Sequence, residues 1–381
     1  MTGLAHALVA AGHQVTWWSS DWNHQLKKPR DVATLTAEAK RTGFELRLLH
    51  APGYPRNISV QRIAHHEIFA RRLTAALDTD KPELIWCCFP TIPVALHVVR
   101  WTRRNGARLI FDVRDLSPDV IVAAVPALIR PLAKLGFEPI RDAIGGAFAL
   151  ADGLVAISPA YLDWAETLAR NHGGLPTHRA VFPLGYQGDD VEPVERGKRA
   201  GDCTVVFAGT FGRSFDAETL VSAARIAEER GLPLRFDVAG DGERAAELRS
   251  AAGSLPNLRL RGWCGPEELR GMFAGAGIGL MPYIREATQG LPNKIFEYMA
   301  NSLAIVNALP GEAAELIETH GIGANYSAGD PQSLIDALMR TTASAADMGG
   351  RARAVFLEHY DMTKISRDMV GFIEALGGRK H

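Results

Sequence analysis

Short apolar runs alternate with amphipathic stretches along the whole chain. In the first half the runs are HQVTWWSS, FELRLLH, ELIWCCF, RLIFDVRD and DGLVAIS; in the second they are CTVVFAG, LRFDVAG, NLRLRGW, GIGLMPY and LAIVNAL. Each is short, rich in β-branched, aromatic or Leu residues, and bounded by Gly, Pro or Asp, so each predicts a strand. The segments between them carry apolar residues three and four apart and predict helices. Strands apolar on both faces and separated by helices imply parallel sheets covered on both sides, the doubly wound α/β arrangement, here occurring twice. Between the two series, FPLGYQGDDVEPVERGKRAGD (182–202) holds neither period and is dense in Pro, Gly and charge. It predicts a linker at 184–199 between an N-terminal domain, 1–183, and a second domain, 200–360. The stretch YDMTKISRDMVGFIEAL predicts a closing helix within 361–381.

The start of the chain breaks the pattern. GLAHALVAAGHQVTWW reads as helix, turn and strand, whereas a doubly wound domain begins with a strand at the centre of its sheet. The first strand of the N-terminal domain is therefore expected to be absent, either because the natural start lies upstream or because another segment fills the gap. The upstream start is favoured, since a lost central strand leaves unpaired backbone and a cavity, each costing several kcal/mol.

One further stretch, GLPNKIFEYMANS (290–302), turns abruptly from loop to helix. Gly290 and Pro292 suit a tight approach to a helix start. Ile295, Phe296, Met299 and Leu303 then follow at helical spacing, and Lys294 and Glu297, three apart, share one face near the helix N-terminus. A cation and a carboxylate thus stand where the helix dipole is positive and backbone N–H groups lack partners.

Composition narrows the class. The 381 residues suffice for two or three domains, and a net charge of −1 excludes a uniformly basic nucleic-acid binder. The charge is uneven: 21 Lys/Arg stand against 16 Asp/Glu up to Gly185, and 21 against 27 beyond it. Two domains with different partners would account for this, as would chance. Cys87, Cys88, Cys203 and Cys264 show no ligand spacing and read as reduced core thiols. With no signal peptide and no apolar run of spanning length, the protein is expected to be cytoplasmic, at most resting on the inner membrane.

VVFAGTFGRSFDAETL and FDVAGDGERAAEL are both strand, Gly-bearing loop and helix. Gly209, Gly212 and Gly240 would let backbone approach a ligand, with Arg213 and Asp241 beside them. Each loop alone is equally a plain strand–helix connection. In combination, VFAGTFGR, FDVAGDGE, LRLRGWCGPEELRGMFAGAGIGLMPY and GLPNKIFEYMANSLAIVNALPGEAAELIE resemble, in order and spacing, the donor-binding domain of GT-B glycosyltransferases of family 4. AGHQVTWWSSDWNHQ and RLIFDVRDLSPD resemble the acceptor domain of bacterial members, especially the amino-sugar transferases of O-antigen and capsule assembly.

The resemblance implies a GT-B fold, two Rossmann-like doubly wound domains facing a cleft. It also implies a retaining, metal-independent transfer of sugar from a nucleoside diphosphate to a lipid-linked or saccharide hydroxyl in cell-surface polysaccharide synthesis. No cofactor and no nucleic acid enter. In the family's E-x7-E motif the second glutamate, matched by Glu297, binds the donor ribose. The first is replaced here by Gln289, which can still hydrogen-bond sugar hydroxyls. Lys294 would neutralise the diphosphate, aided by backbone N–H groups around Gly290, Leu291 and Asn293. Thr210 stands where many members have an arginine, and Arg213 would supply that cation. Trp263 reads first as core and otherwise as a neighbour of the base.

Arg114 would meet phosphate or donor sugar and Asp115 would orient the acceptor hydroxyl; otherwise the two brace the domain interface. His24 is a lesser acceptor candidate. The basic, partly apolar stretches 57–77 and 126–141 would rest on anionic lipid or bind a polyprenyl diphosphate, or are solvated faces of core helices. The alternatives to a transferase are a UDP-sugar 2-epimerase and a non-catalytic sugar-nucleotide binder.

Overall fold

A computed structural model describes residues 2–56, 59–123, 125–187, 203–287 and 290–377. The chain divides into two compact units, Met1–Pro183 with Ile365–His381, and Leu184–Lys364.

The first unit contains β1 (Thr16–Ser20), β2 (Trp22–Asn23), β3 (Lys28–Pro29), β4 (Glu45–Leu49), β5 (Leu84–Phe89), β6 (Arg108–Val113), β7 (Gly153–Ala156) and β8 (His178–Val181). Its sheet is in two pieces, a parallel pair β1–β4 and a parallel sheet in the order β5-β6-β7-β8, while β2 and β3 form a small antiparallel hairpin. Shared layers cover both pieces. Trp18 of β1, Leu49 of β4 and Ile85 of β5 pack on one core with Ala70, Leu73 and Leu77 of the helix Val60–Asp80. On the other face the helix Thr2–Ala10 sets Leu4 against Ile110 and Val155, joined by Ile365, Met369 and Ile373 of the helix Met362–Gly377. Among the described residues β1 pairs only with β4 and β5 only with β6, so no described strand takes the place of the first strand the N-terminal pattern lacks.

The second unit is a single parallel sheet of β9 (Cys203–Ala208), β10 (Leu234–Ala239), β11 (Leu258–Gly262), β12 (Ile278–Met281), β13 (Ala304–Asn307) and β14 (Gly323–Asn325). The order is β11-β10-β9-β12-β13-β14. Chain direction across the sheet therefore reverses between β9 and β12, and in open α/β sheets the carboxyl ends of the strands at such a switch point are where ligands bind. The central strands β12 and β13 are almost wholly apolar because both faces are covered, and every residue of the two is buried.

The ten predicted strands are all present. The pattern overlooked β8, where a half-exposed His-Arg pair leads, β14, which is Gly-Ala-Asn, and the hairpin. The thiols need correction: Cys87 and Cys203 are buried, but Cys88 is exposed and Cys264 half-exposed. Within the expected linker, Leu184 and Tyr186 pack on the second unit, and Tyr186 forms a bridge with Asp361. The rest of the linker from 188 lies outside the described residues.

Candidate functional site

β9 and β10 end side by side, and their loops touch backbone to backbone. Gly209 N donates to the Ala239 carbonyl at 3.0 Å, Phe211 N to the Asp241 carbonyl at 3.0 Å and Gly240 N to the Gly262 carbonyl at 2.7 Å. Gly209 and Gly240 have φ of 157° and 146°, a region that a side chain disfavours. Space excludes a side chain as well: a Cβ on Gly240 would lie 1.8 Å from the Gly209 carbonyl oxygen. Beneath the first loop Phe207, Phe211 and Phe215 cluster, with tilted ring pairs whose centroids are 4.7 Å apart between Phe207 and Phe215 and 5.0 Å between Phe211 and Phe215.

The helix Asn293–Ala300 begins next to that loop. Its N-cap, Pro292, offers no side-chain acceptor, so the first N–H groups are left for solvent or a ligand. Tyr298, fully buried, ties the helix to the sheet: its hydroxyl donates to the Leu280 carbonyl at 3.2 Å and accepts from Ala208 N at 3.3 Å. Lys294 Nζ donates to the Ala208 carbonyl and stands 4.4 Å from the centroid of the Phe207 ring. Burial lowers its pKa to about 8, with Glu297 opposing the shift. Glu297 is pushed up by burial, against the pull of Lys294 and a hydrogen bond from Tyr186. A poorly solvated cation, a poorly solvated carboxylate and an uncapped helix start thus meet the carboxyl end of β9. That arrangement suits an anion with hydroxyl groups one helical turn away.

The other expected residues are less closely drawn in. Gly212 borders open space, and Thr210 is exposed. Arg213 is 93% exposed and 3.5 Å from Glu243, so its head points into solvent rather than into the Lys294 cradle. Asp241 caps Gly242 N at 2.9 Å and lies 4.0 Å from Arg249. Trp263, read first as core, is 77% exposed; it follows the last residue of β11, beyond the cover of the helices. Leu291 is half-buried, Gly290 and Asn293 are exposed, and Gln289 lies outside the described residues.

Three residues the sequence reading did not single out complete the cradle: Tyr186, Tyr298 and Glu312, whose carboxylate a Cβ on Gly290 would approach to 2.8 Å. Tyr298 is indistinguishable by pattern from a core aromatic, and Tyr186 comes from the edge of the linker.

In the first unit, Arg114 Nε donates at 2.7 Å to Asp112, a buried carboxylate that also accepts from the Trp86 indole at 3.0 Å. Asp115 accepts from the Ser117 hydroxyl at 2.6 Å. His24 is exposed, on the turn between β2 and β3. Among the described residues no group of three or more His, Cys, Asp or Glu is placed to hold a metal ion.

Two Rossmann-like units, the second with its cation and carboxylate at the switch point, define a GT-B fold. Residues 202–344 match the family of glycosyl transferases group 1. The amylovoran biosynthesis glycosyltransferase AmsK of Erwinia amylovora is 30% identical over 134 residues, which span 34% of this chain and about a third, 33%, of that protein. Anabaena HepE, solved in complex with UDP, superposes with a TM-score of 0.66 at 14% identity, over 98% of this chain and 95% of its own. A glycosyltransferase of Rickettsia africae gives 0.65 at 11% identity, over 100% and 94%. The lipopolysaccharide glycosyltransferase WaaG gives 0.60 at 13%, over 99% and 95%.

Proposed function

We propose that the protein is a retaining glycosyltransferase that moves a sugar from a nucleoside diphosphate donor to a hydroxyl of a lipid-linked or saccharide acceptor in cell-surface polysaccharide synthesis. The observation that carries this reading is the placement of Lys294 and Glu297 at an uncapped helix start, against the Gly209 loop. HepE, which shares the fold, was solved with UDP and with UDP-glucose, and the matched relative acts in amylovoran biosynthesis.

In this reading Glu297 accepts hydrogen bonds from the ribose hydroxyls. Lys294 and the N–H groups of Leu291 and Asn293 face the diphosphate, and exposed Trp263 borders the base. As the bond from the anomeric carbon to the phosphate oxygen breaks, its electron pair stays on the diphosphate, where a fixed cation and helix start lower the barrier. The acceptor oxygen bonds the same face of that carbon and gives its proton to the departing phosphate oxygen. No side-chain base and no metal are required. Arg114, held by Asp112, would add a second cation, and Asp115 would orient the acceptor.

A lipid-borne acceptor would bring the protein to a membrane surface. No helix among the described residues is long and apolar enough to cross a membrane. Leu128, Leu132 and Leu135, however, are 93%, 72% and 73% exposed around the start of the helix Arg130–Ala149. Arg130 and Lys134 are interleaved with them, the composition of a face that rests on anionic lipid.

Calorimetric titration with UDP-, GDP- and dTDP-sugars tests the donor site. One donor should bind at micromolar concentration, and binding should be lost in Glu297→Ala. Unchanged binding in both Glu297→Ala and Lys294→Ala would overturn the assignment. Release of free UDP together with a 2-epimer, in the absence of any acceptor, would identify an epimerase instead.

A further inference from the structure

The helix Glu312–His320 follows β13, the strand beside β12, and starts next to the loop that leads into the helix Asn293–Ala300. A network of amides fixes its approach. Asn307, fully buried at the end of β13, donates from Nδ2 to the Leu309 carbonyl at 2.7 Å, and its Oδ1 accepts from Leu309 N at 2.9 Å. The same Nδ2 donates to Asn325 Oδ1 at 2.9 Å. Asn325 in turn donates to the Ala314 carbonyl at 3.2 Å and to Glu318 at 2.8 Å. Ala308 N donates to the Met281 carbonyl at 3.2 Å, which ties the turn to the end of β12. A satisfied buried network of this kind holds a turn in one arrangement.

What this turn presents is the Glu312 carboxylate. The residue is half-buried, and its Oε2 lies 2.8 Å from where a Cβ on Gly290 would stand. Burial and the charge of Glu312 together raise the pKa of Tyr360, whose ring packs on Phe296 of the neighbouring helix. Among the described residues no hydrogen bond or ion pair engages the Glu312 carboxylate, whereas Glu318 of the same helix is taken up by Asn325. A helix start favours a carboxylate at this position, but it does so equally with the side chain turned to water. Here the side chain is turned to Gly290 instead, where partial loss of water is a cost until a donor arrives.

Along the loop and helix 290–300 the polar groups come in a fixed order. Glu297 lies one turn inside the helix, Lys294 and the N–H groups of Leu291 and Asn293 lie at its start, and Glu312 lies beside Gly290, ahead of it. A nucleoside diphosphate sugar has the matching order of ribose, diphosphate and sugar ring. With the ribose at Glu297 and the diphosphate at Lys294, the ring comes to Glu312. The two oxygens of a carboxylate can accept from two neighbouring hydroxyls of such a ring.

We propose that Glu312 is a donor-binding residue that accepts hydrogen bonds from hydroxyl groups of the transferred sugar. This rests on the transferase reading and names the group that recognises the sugar end of the donor.

The experiment compares free nucleotides with their sugar conjugates by calorimetric titration of the full chain: UDP with UDP-glucose, UDP-galactose and UDP-N-acetylglucosamine, GDP with GDP-mannose, and dTDP with dTDP-glucose. In Glu312→Ala the bound nucleotide should keep its affinity to within about twofold, while its sugar conjugate should weaken about 10–100-fold, the loss of a hydrogen bond to a charged group. An unchanged affinity for the conjugate overturns the proposal. So does an equal loss for nucleotide and conjugate, which with a lowered melting midpoint would leave Glu312 a helix-start role alone. Glu297→Ala, run in the same series, should weaken nucleotide and conjugate alike. If it does so while Glu312→Ala discriminates nothing, the inference about the sugar fails alone; if the parent binds neither nucleotides nor conjugates, the transferase reading fails and this inference with it.

Discussion

Lys294 holds its proton with a pKa of about 8 against an ordinary 10.5, because burial disfavours the ammonium. At 1.36 kcal/mol per unit, a depression of that size corresponds to a folding penalty of about 3 kcal/mol at neutral pH. Lys294→Met keeps most of the stem and removes the charge. It also gives up the hydrogen bond to the Ala208 carbonyl, worth about 1 kcal/mol, and the contact with the Phe207 ring, worth about 0.5–1 kcal/mol. The variant should therefore be more stable than the parent by about 1–2 kcal/mol at pH 7, a rise of roughly 2–6 °C in the midpoint for a unit of this size.

The pH dependence checks the cause. Below pH 8 both folded and unfolded Lys294 are charged, and the penalty is complete. Between about 8 and 10.5 the unfolded chain holds more protons, so parent stability rises with pH. Above that window the penalty is gone. The advantage of Lys294→Met should shrink across the window, as read by thermal unfolding of both proteins from pH 6.5 to 10.5. UDP affinity in the variant should fall about 10–100-fold, the loss of a hydrogen bond to a charged group. A variant less stable than the parent at pH 7, or a stability difference flat in pH, would refute the argument.

Gly240→Ala should cost more than about 3 kcal/mol or prevent folding of the second unit, since its methyl would meet backbone 1.8 Å away; a denaturant melt within about 0.5 kcal/mol of the parent would contradict the close approach. Glu297→Gln should weaken UDP binding about 10–100-fold. The parent, whose Glu297 pKa is raised by burial, should lose affinity as pH falls towards that pKa, and the variant should lack this acid limb in calorimetry. Trp263→Ala should leave stability within about 0.5 kcal/mol, because the ring is 77% exposed; a larger loss on chemical denaturation would restore it to the core. Leu132→Ser with Leu135→Ser should abolish co-sedimentation with phosphatidylglycerol vesicles while leaving the melting curve and UDP binding unchanged.

The strands, their parallel sense and their division into two series could be read from period and punctuation, because strands buried on both faces leave continuous apolar runs. The start of a helix within 290–302 was equally legible, since Gly290 and Pro292 precede apolar residues at helical spacing. What escaped depends on three-dimensional partners. Trp263 looked like core because an indole beside a strand usually is, yet it comes one residue past the end of β11. Cys88 sits in an apolar run, but β5 pairs on one side only among the described residues, and Cys88 alone of that run is exposed. Tyr298 carries no pattern that separates a hydroxyl bridging two strands from an ordinary core ring.

The costs of folding the second unit converge on one place. Two glycines hold φ near 150° so that two loops can touch, a helix starts without a cap, and a lysine and a glutamate are both shifted towards their neutral forms. Packing alone would favour different residues at each position: a capping Ser or Asp at 292, methionine at 294, leucine at 297. Each departure exposes or charges something that an anionic ligand with adjacent hydroxyls would complete. Their common location at the carboxyl ends of β9 and β10 is then a single requirement. Lys294→Met should show it directly, with stability gained and nucleotide affinity lowered by the removal of one nitrogen.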